Sequence, residues 1–392
     1  MRWYVLFTLL TVSILSSSSF AWSTSFRTNL GGMPAIGRAD TLEVFVAEAL
    51  NRGDLAVADQ IIETQSKLDS NAIQWHFSRG IRSVMEISYQ QDGQNEENIH
   101  RVQIAMEKAI EIGERRLEIN PSDSMALFYI GGACGYLGIA QVQGGGGFFK
   151  GGSTAKRGFR YHEQLIALCP DFYAAYLGPG MKNLMVSALP WVFKPLLYLL
   201  GLSGSEERAE EYLTIAYEKG EGVRFEAGNY LAQLYERRKD WVRSGAIYAD
   251  LLKRYPYRVG MCAQGLGPLS AEKKYDEVVD RCKGMMRRFE NDRREFTRAD
   301  SISMISIISS AGYSFLRQGK TAEAIGFYEN ALRNVAYEKL NRWILQWSLG
   351  DLYRDQRQIR EARESYQRAL ATAPGKQRNK IQKELDNLPS MQ

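Results

Sequence analysis

The stretch with the most evident chemical potential is the glycine-rich run QGGGGFFKGGSTAKRG, residues 143–158. Gly147 and Gly152 stand five apart, as in loops whose backbone N–H groups cradle phosphates. That chemistry also needs a lysine directly after the second glycine and a strand leading in. Ser153 occupies the lysine position, and a helical pattern precedes the run. Nucleotide binding is therefore not expected. The run reads instead as a pliable loop, with Gly144 to Gly147 supplying the freedom.

Other reactive residues are scattered. His76, His100 and His162 are isolated in sequence, and no H-E-x-x-H, C-x-x-C or G-x-S-x-G occurs. Each histidine is expected to be structural or solvated. Cys262 and Cys282 fall on the two helices of one hairpin, so a bridge between them is sterically possible; burial as free thiols is an equal alternative, and the state of Cys134 and Cys169 is equally open. Carboxylates alternate with Lys and Arg, as in RAEEYLTIAYEK and IREARESYQR, which is the pattern of solvated helix faces. The run Arg281 to Arg298 carries seven basic residues against three acidic and reads as a solvated helix end and loop. No catalytic residue, metal ligand or cofactor is expected. A formal charge of +5 is too small to argue for nucleic acid.

The elements that position these residues are helical hairpins. From Leu349 to Pro374, Leu349, Gly350 and Tyr353 mark a first helix, Ala362, Tyr366, Ala369 and Leu370 a second, and Pro374 ends it. Thirty-eight residues earlier Gly312, Phe315, Ala324, Tyr328, Ala331 and Leu332 keep the same spacing, with Gly319 at the turn. Ala232, Tyr235, Ser244, Tyr248, Leu251 and Pro256 repeat it, and Leu266, Leu269, Val278, Cys282 and Met285 follow it more loosely. Small residues stand where helices must approach, and large ones fill the gaps. Gly350 is expected to lie against its own second helix near Ala362.

Upstream, Thr41 to Asp69 makes a first hairpin, and Asn71 to Tyr89 with Ile99 to Ile119 a second. Ala126 to Gly138 and Gly158 to Pro170 form a third, interrupted by an insertion at 139–157. Phe172 to Ala188 and Ser205 to Lys219 form a fourth. From Gly178 to Ala209 is 31 residues where the regular repeats use 12, so a second insertion occupies 186–204. It contains LPWVFKPLLYLLGL, 189–202. Lys376 to Leu388 reads as a capping helix.

The pattern of Leu349 to Pro374 and its repeats resembles the tetratricopeptide repeat, W-x2-L-G-x2-Y, A-x3-F, P, with a period near 34 residues. The resemblance implies an all-α superhelical solenoid of about eight helical hairpins with a C-terminal capping helix. It also implies a protein-interaction scaffold whose partner segment lies in the concave groove. More narrowly, Ala126 to Pro256 resembles uncharacterised exported bacterial repeat proteins and, distantly, inclusion-body-clearance proteins.

Arg2, the apolar run Trp3 to Leu15 and Ser19-Phe20-Ala21 read as a secretory signal cleaved before Trp22, which places the mature chain in the periplasm or outside the cell. Removal of Arg2 lowers the charge from +5 to +4. No later segment is expected to be long and apolar enough to span a bilayer. The domains are thus 1–21 signal, 22–40 flexible leader, 41–220 divergent repeats, 221–374 regular repeats and 375–392 cap and tail.

The two insertions interrupt equivalent connections and are expected to be neighbours. Phe148, Phe149, Trp191, Phe193, Leu197 and Tyr198 are the candidate contact with a protein partner or a membrane surface. A peripheral envelope-membrane protein using 189–202, and an enzyme with a site assembled between helices, are the alternatives to a scaffold.

Overall fold

The computed structural model describes residues 46, 49–50, 55–90, 96–190, 192, 203–220, 223–256, 258–291, 298–334 and 342–389. Among them are sixteen α-helices, one 3-10 turn and no strand, so the fold is all-α. The secretory signal, the leader and most of the first helix of the first hairpin lie outside the described residues. Two compact units form, residues 1–240 and 241–392.

Unit 1 holds α1 (Leu55–Leu68), α2 (Ile73–Gln90), α3 (Glu96–Ile119), α4 (Ser124–Gln143), α5 (Gly147–Leu168), the 3-10 turn Tyr173–Tyr176, α6 (Leu177–Ala188), α7 (Glu206–Lys219) and α8 (Arg224–Arg237). Unit 2 holds α9 (Trp241–Arg254), α10 (Val259–Ala271), α11 (Tyr275–Asn291), α12 (Arg298–Arg317), α13 (Thr321–Arg333), α14 (Arg342–Asp355), α15 (Ile359–Thr372) and α16 (Gly375–Asp386).

Local chemistry sets the helix ends. Asp123 accepts a hydrogen bond from the Ala126 N–H at 3.0 Å and caps α4. Ser205 does the same for α7 through the Arg208 N–H at 3.2 Å, with Glu206 and Glu207 in the first turn where the helix dipole favours them. The inter-helix turns repeat one backbone device. Lys239, Lys273, Gly319 and Arg357 take φ of 60°, 61°, 73° and 61°, each seven residues after the small or apolar marker of its first helix. Only Gly319 is free of the steric cost that a side chain carries there.

In unit 2 the repeat spacing becomes a steric contact. A Cβ on Gly350 would lie 2.6 Å from the Tyr366 ring, and one on Gly312 would lie 2.1 Å from Tyr328. Both tyrosines are buried, and their hydroxyls donate to the Asp351 carboxylate at 2.7 Å and to the Ser309 carbonyl at 3.3 Å. Gly350 thus faces its own second helix, and the nearest group there is the Tyr366 ring one turn beyond Ala362. An alanine methyl is too short to fill the gap, whereas the ring reaches across it. The core of unit 2 runs without a break from Val259 to Leu388, and α16 seals its end with Ile381.

Unit 1 uses the same device in a shifted register. Gly180, not Gly178, faces the second helix of its own hairpin, where a Cβ on it would lie 3.0 Å from Leu213. Gly178 faces back to His162 of the preceding hairpin. The helix α4 corrects another expectation. Ser124–Gln143 is long and apolar enough to cross a membrane by length and composition, yet 67% of that stretch is buried inside the protein. It carries no charge because its neighbours cover it.

Gly350→Leu should lower the unfolding free energy of unit 2 by roughly 1–3 kcal/mol through overpacking. Urea titration of the single variants Gly350→Ala and Tyr366→Ala and of the double variant should be non-additive. Additive costs would mean that glycine and ring do not share one contact.

Candidate functional site

The glycine-rich segment is not a pliable loop. Helix α4 runs to Gln143 and α5 begins at Gly147, so only residues 144–146 turn, and Gly145 and Gly147 supply the positive φ of 83° and 81°. The glycines are used for approach rather than for freedom. A Cβ on Gly151 would lie 2.4 Å from the Gly138 carbonyl oxygen, and one on Gly138 would lie 2.6 Å from that of Gly151. Two turns away a Cβ on Gly158 would lie 2.5 Å from the Gly131 carbonyl oxygen. Pairs 131/158 and 138/151 are each seven residues apart along their helices, so they share one antiparallel seam. Thr154 also bonds the Gln141 side chain across the seam at 2.8 Å.

The seam carries the candidate contact residues at its tip. Phe148 is partly buried, and Phe149 is 61% exposed, with the two rings edge to face at 6.2 Å. Between Ser124 and His162 the chain has Lys150, Lys156, Arg157 and Arg160 and no acidic residue. Trp191, Phe193, Leu197 and Tyr198 lie outside the described residues, and with them the expected contact between the insertions. Val192, which is described, is 49% exposed.

His162, expected to be structural or solvated, is buried. It stands four residues after Gly158, as Tyr366 stands four after Ala362, and so takes the ring position of its hairpin. A Cβ on Gly131 would lie 2.2 Å from its ring, and one on Gly178 would lie 2.2 Å from Nδ1. Phe128 stacks on it at 5.7 Å, and Nε2 bonds the Phe128 carbonyl at 3.1 Å. Nδ1 is buried without a partner. Burial pulls the imidazole down to about 4. His76, by contrast, meets the Ser70 carbonyl at 2.9 Å, and His100 is exposed.

The remaining polar chemistry is largely tied up in structure. Cavities of about 640 and 620 Å³ in unit 1 lie over α2 and α4, between the flanking second helices, and one of about 740 Å³ in unit 2 lies over α14. Ion pairs bridge the walls of the first two, Arg82 to Asp59 at 2.8 Å and Arg157 to Glu114 at 3.3 Å, and in the third the Tyr353 hydroxyl donates to Glu329. Glu236 is pushed up to about 7 by burial. All four cysteines are free. Burial raises the Cys134 thiol against the pull of Arg157, raises Cys262 to about 11 and raises Cys282 as well. Among the described residues no group of three His, Cys, Asp or Glu is placed to hold a metal. Of the basic run, Arg281, Lys283, Arg287 and Arg288 lie on α11, where Arg288 donates to the Pro256 carbonyl; residues 292–297 are outside the described set.

Residues 230–256 and 310–376 match the tetratricopeptide repeat family. Neither match enters residues 126–229, so the narrower resemblance to exported bacterial and inclusion-body-clearance proteins gains no support. No curated protein matches the chain. Among solved structures it is similar to yeast Tom70, with 11% identity, 88% of each chain covered and a TM-score of 0.36. It is similar also to a human IFIT1 dimer with m7Gppp-AAAA, with 13% identity, 96% of this chain and 84% of that one covered, and a TM-score of 0.34. A tetratricopeptide repeat protein from Parabacteroides merdae gives 14% identity, 88% and 96% coverage, and a TM-score of 0.27. At these scores none of them bears on the ligand of this chain.

Adjacent glycines of α5 should respond with opposite signs. Gly151→Ala meets backbone and should cost roughly 1–3 kcal/mol. Gly152 has nothing within 4 Å, so Gly152→Ala should gain about 0.5–1 kcal/mol from helix propensity. Thermal melts of the two variants check this; equal shifts would place the seam elsewhere.

Proposed function

We propose that this chain, which carries tetratricopeptide repeats at 230–256 and 310–376, is an exported scaffold that binds a protein partner and catalyses no reaction. The recurrence of the repeat at 230–256 and 310–376 supports the scaffold reading. Exposed side chains of a first helix supply the binding face. On α12, Tyr313 is 50% and Leu316 36% exposed, and the Arg317 guanidinium lies 6.0 Å from the Tyr313 ring. Such a face suits an apolar or aromatic anchor on the partner. Crosslinking of the tagged chain in native envelope fractions should capture a discrete partner, and Tyr313→Ser with Leu316→Ser should lose it by tenfold or more without lowering the melting temperature. Sequencing the recovered protein from Trp22 would support export. A chain retaining Met1 in the cytosol, or capture unchanged by the double variant, would count against the reading.

A membrane contact is the second reading, favoured by exposed Phe149 in a stretch, Ser124 to His162, whose charges are all basic. Phe149→Ser with Lys150→Ser should abolish flotation with vesicles containing one third anionic lipid while leaving the melt unchanged. Vesicles that never float the unaltered chain would exclude this reading.

A further inference from the structure

We propose that His162 is an acid-release latch: in mildly acidic solution Nδ1 takes up a proton, and the junction of α5 with α6 opens while the rest of the chain stays folded. The geometry leaves a charged imidazolium no accommodation. A proton on Nδ1 needs an acceptor, and the neighbour there is Gly178, packed so closely that a single added carbon would overlap the nitrogen. Nε2 already meets the Phe128 carbonyl, and Phe128 stacks on the ring. An ion buried among these groups has no acceptor among the described residues for the proton on Nδ1.

The charged groups around the site are few. Helix α4 contributes none between Ser124 and Gln143, and the 3-10 turn contributes only the phenols of Tyr173 and Tyr176. On α5, Glu163 is paired with Lys182 of α6 at 2.5 Å. That pair crosses the same junction, so it must be separated from the histidine by test. The direction of opening follows from what holds each side. Helices α4 and α5 are joined by backbone contacts at two glycine pairs, whereas α6 is held to α5 by the Gly178 approach and the Glu163–Lys182 pair. The α6 side is the one to yield.

The sign is that of a group whose folded value is depressed. Free imidazole titrates at 6.5 and this one at about 4, so the junction has its full stability above 6.5 and loses it as the pH falls towards 4. In that window the opening equilibrium should rise about tenfold per pH unit.

Hydrogen exchange of the full chain from pH 7.5 to 4.5, corrected for intrinsic rates, should show peptides of 169–188 losing protection at that rate while those of α4 and of 259–388 do not. His162→Leu should flatten the response, since Leu213 fills the equivalent place against Gly180. Glu163→Gln should leave it. An unchanged response in His162→Leu, a flat response in the unaltered chain, loss confined to Glu163→Gln, or simultaneous loss in both units would overturn the latch. Should His162→Leu fail to fold, the imidazole carbon resonances of the unaltered chain decide. Titration of His162 near 6.5 rejects the proposal, and titration below 5 supports it.

Discussion

The contact on which the rest of the structure depends is a bulky side chain of a second helix lying against a glycine of a first. It occurs as Tyr328 on Gly312, Tyr366 on Gly350, His162 on Gly131 and Leu213 on Gly180. A glycine inside a helix costs about 1 kcal/mol relative to alanine. Burying a large apolar side chain returns roughly 1.5–3 kcal/mol. The exchange is favourable only when the large group reaches fully into the space the glycine leaves. That condition fixes the axial register of each hairpin, because a shift of one residue moves the glycine off the ring.

The hairpin of α4 and α5 carries the same constraint to its limit. Helix α4 has glycine at 131, 132, 135 and 138, an intrinsic cost of about 4 kcal/mol. Ring burial at one position cannot offset that. The close seam with α5 and the burial of an uncharged helix on several sides can, and both are observed. A consequence for function follows. Phe149 is presented from a stiff base and not from a wandering loop, so whatever it touches is met without the entropy of ordering a glycine tract.

The regular hairpins were legible in the sequence because Gly312 with Tyr328 and Gly350 with Tyr366 repeat at one spacing. The capping helix was legible from Ile381 and Leu385 at helical spacing. The glycine-rich segment was misread because four consecutive glycines signal backbone freedom by composition, while the informative feature was positional: Gly131 and Gly138, and Gly151 and Gly158, are seven apart. Helix α4 was misjudged for a related reason. Its apolar content was seen as part of a repeat and not as a continuous run of twenty residues. His162 was findable, since counting four residues from the small position leads to it as it leads to Tyr366. An isolated histidine offers no motif, and only the register gives it a place.

The ring position tolerates three chemistries because the glycine cradle specifies shape and leaves polarity to be settled by what lies at the far end. Tyrosine places its hydroxyl beyond the glycine, where Asp351 or the Ser309 carbonyl accepts it. Leucine has nothing to satisfy. Histidine is shorter than tyrosine and carries polar atoms on both edges of the ring, so a cradle that closes on both sides can satisfy one nitrogen and must strand the other. A stranded lone pair is tolerable in the neutral ring and intolerable once protonated. The same packing rule that makes unit 2 insensitive to proton uptake at this position therefore makes the α5–α6 junction of unit 1 sensitive to it, through one change of residue type and no change of fold.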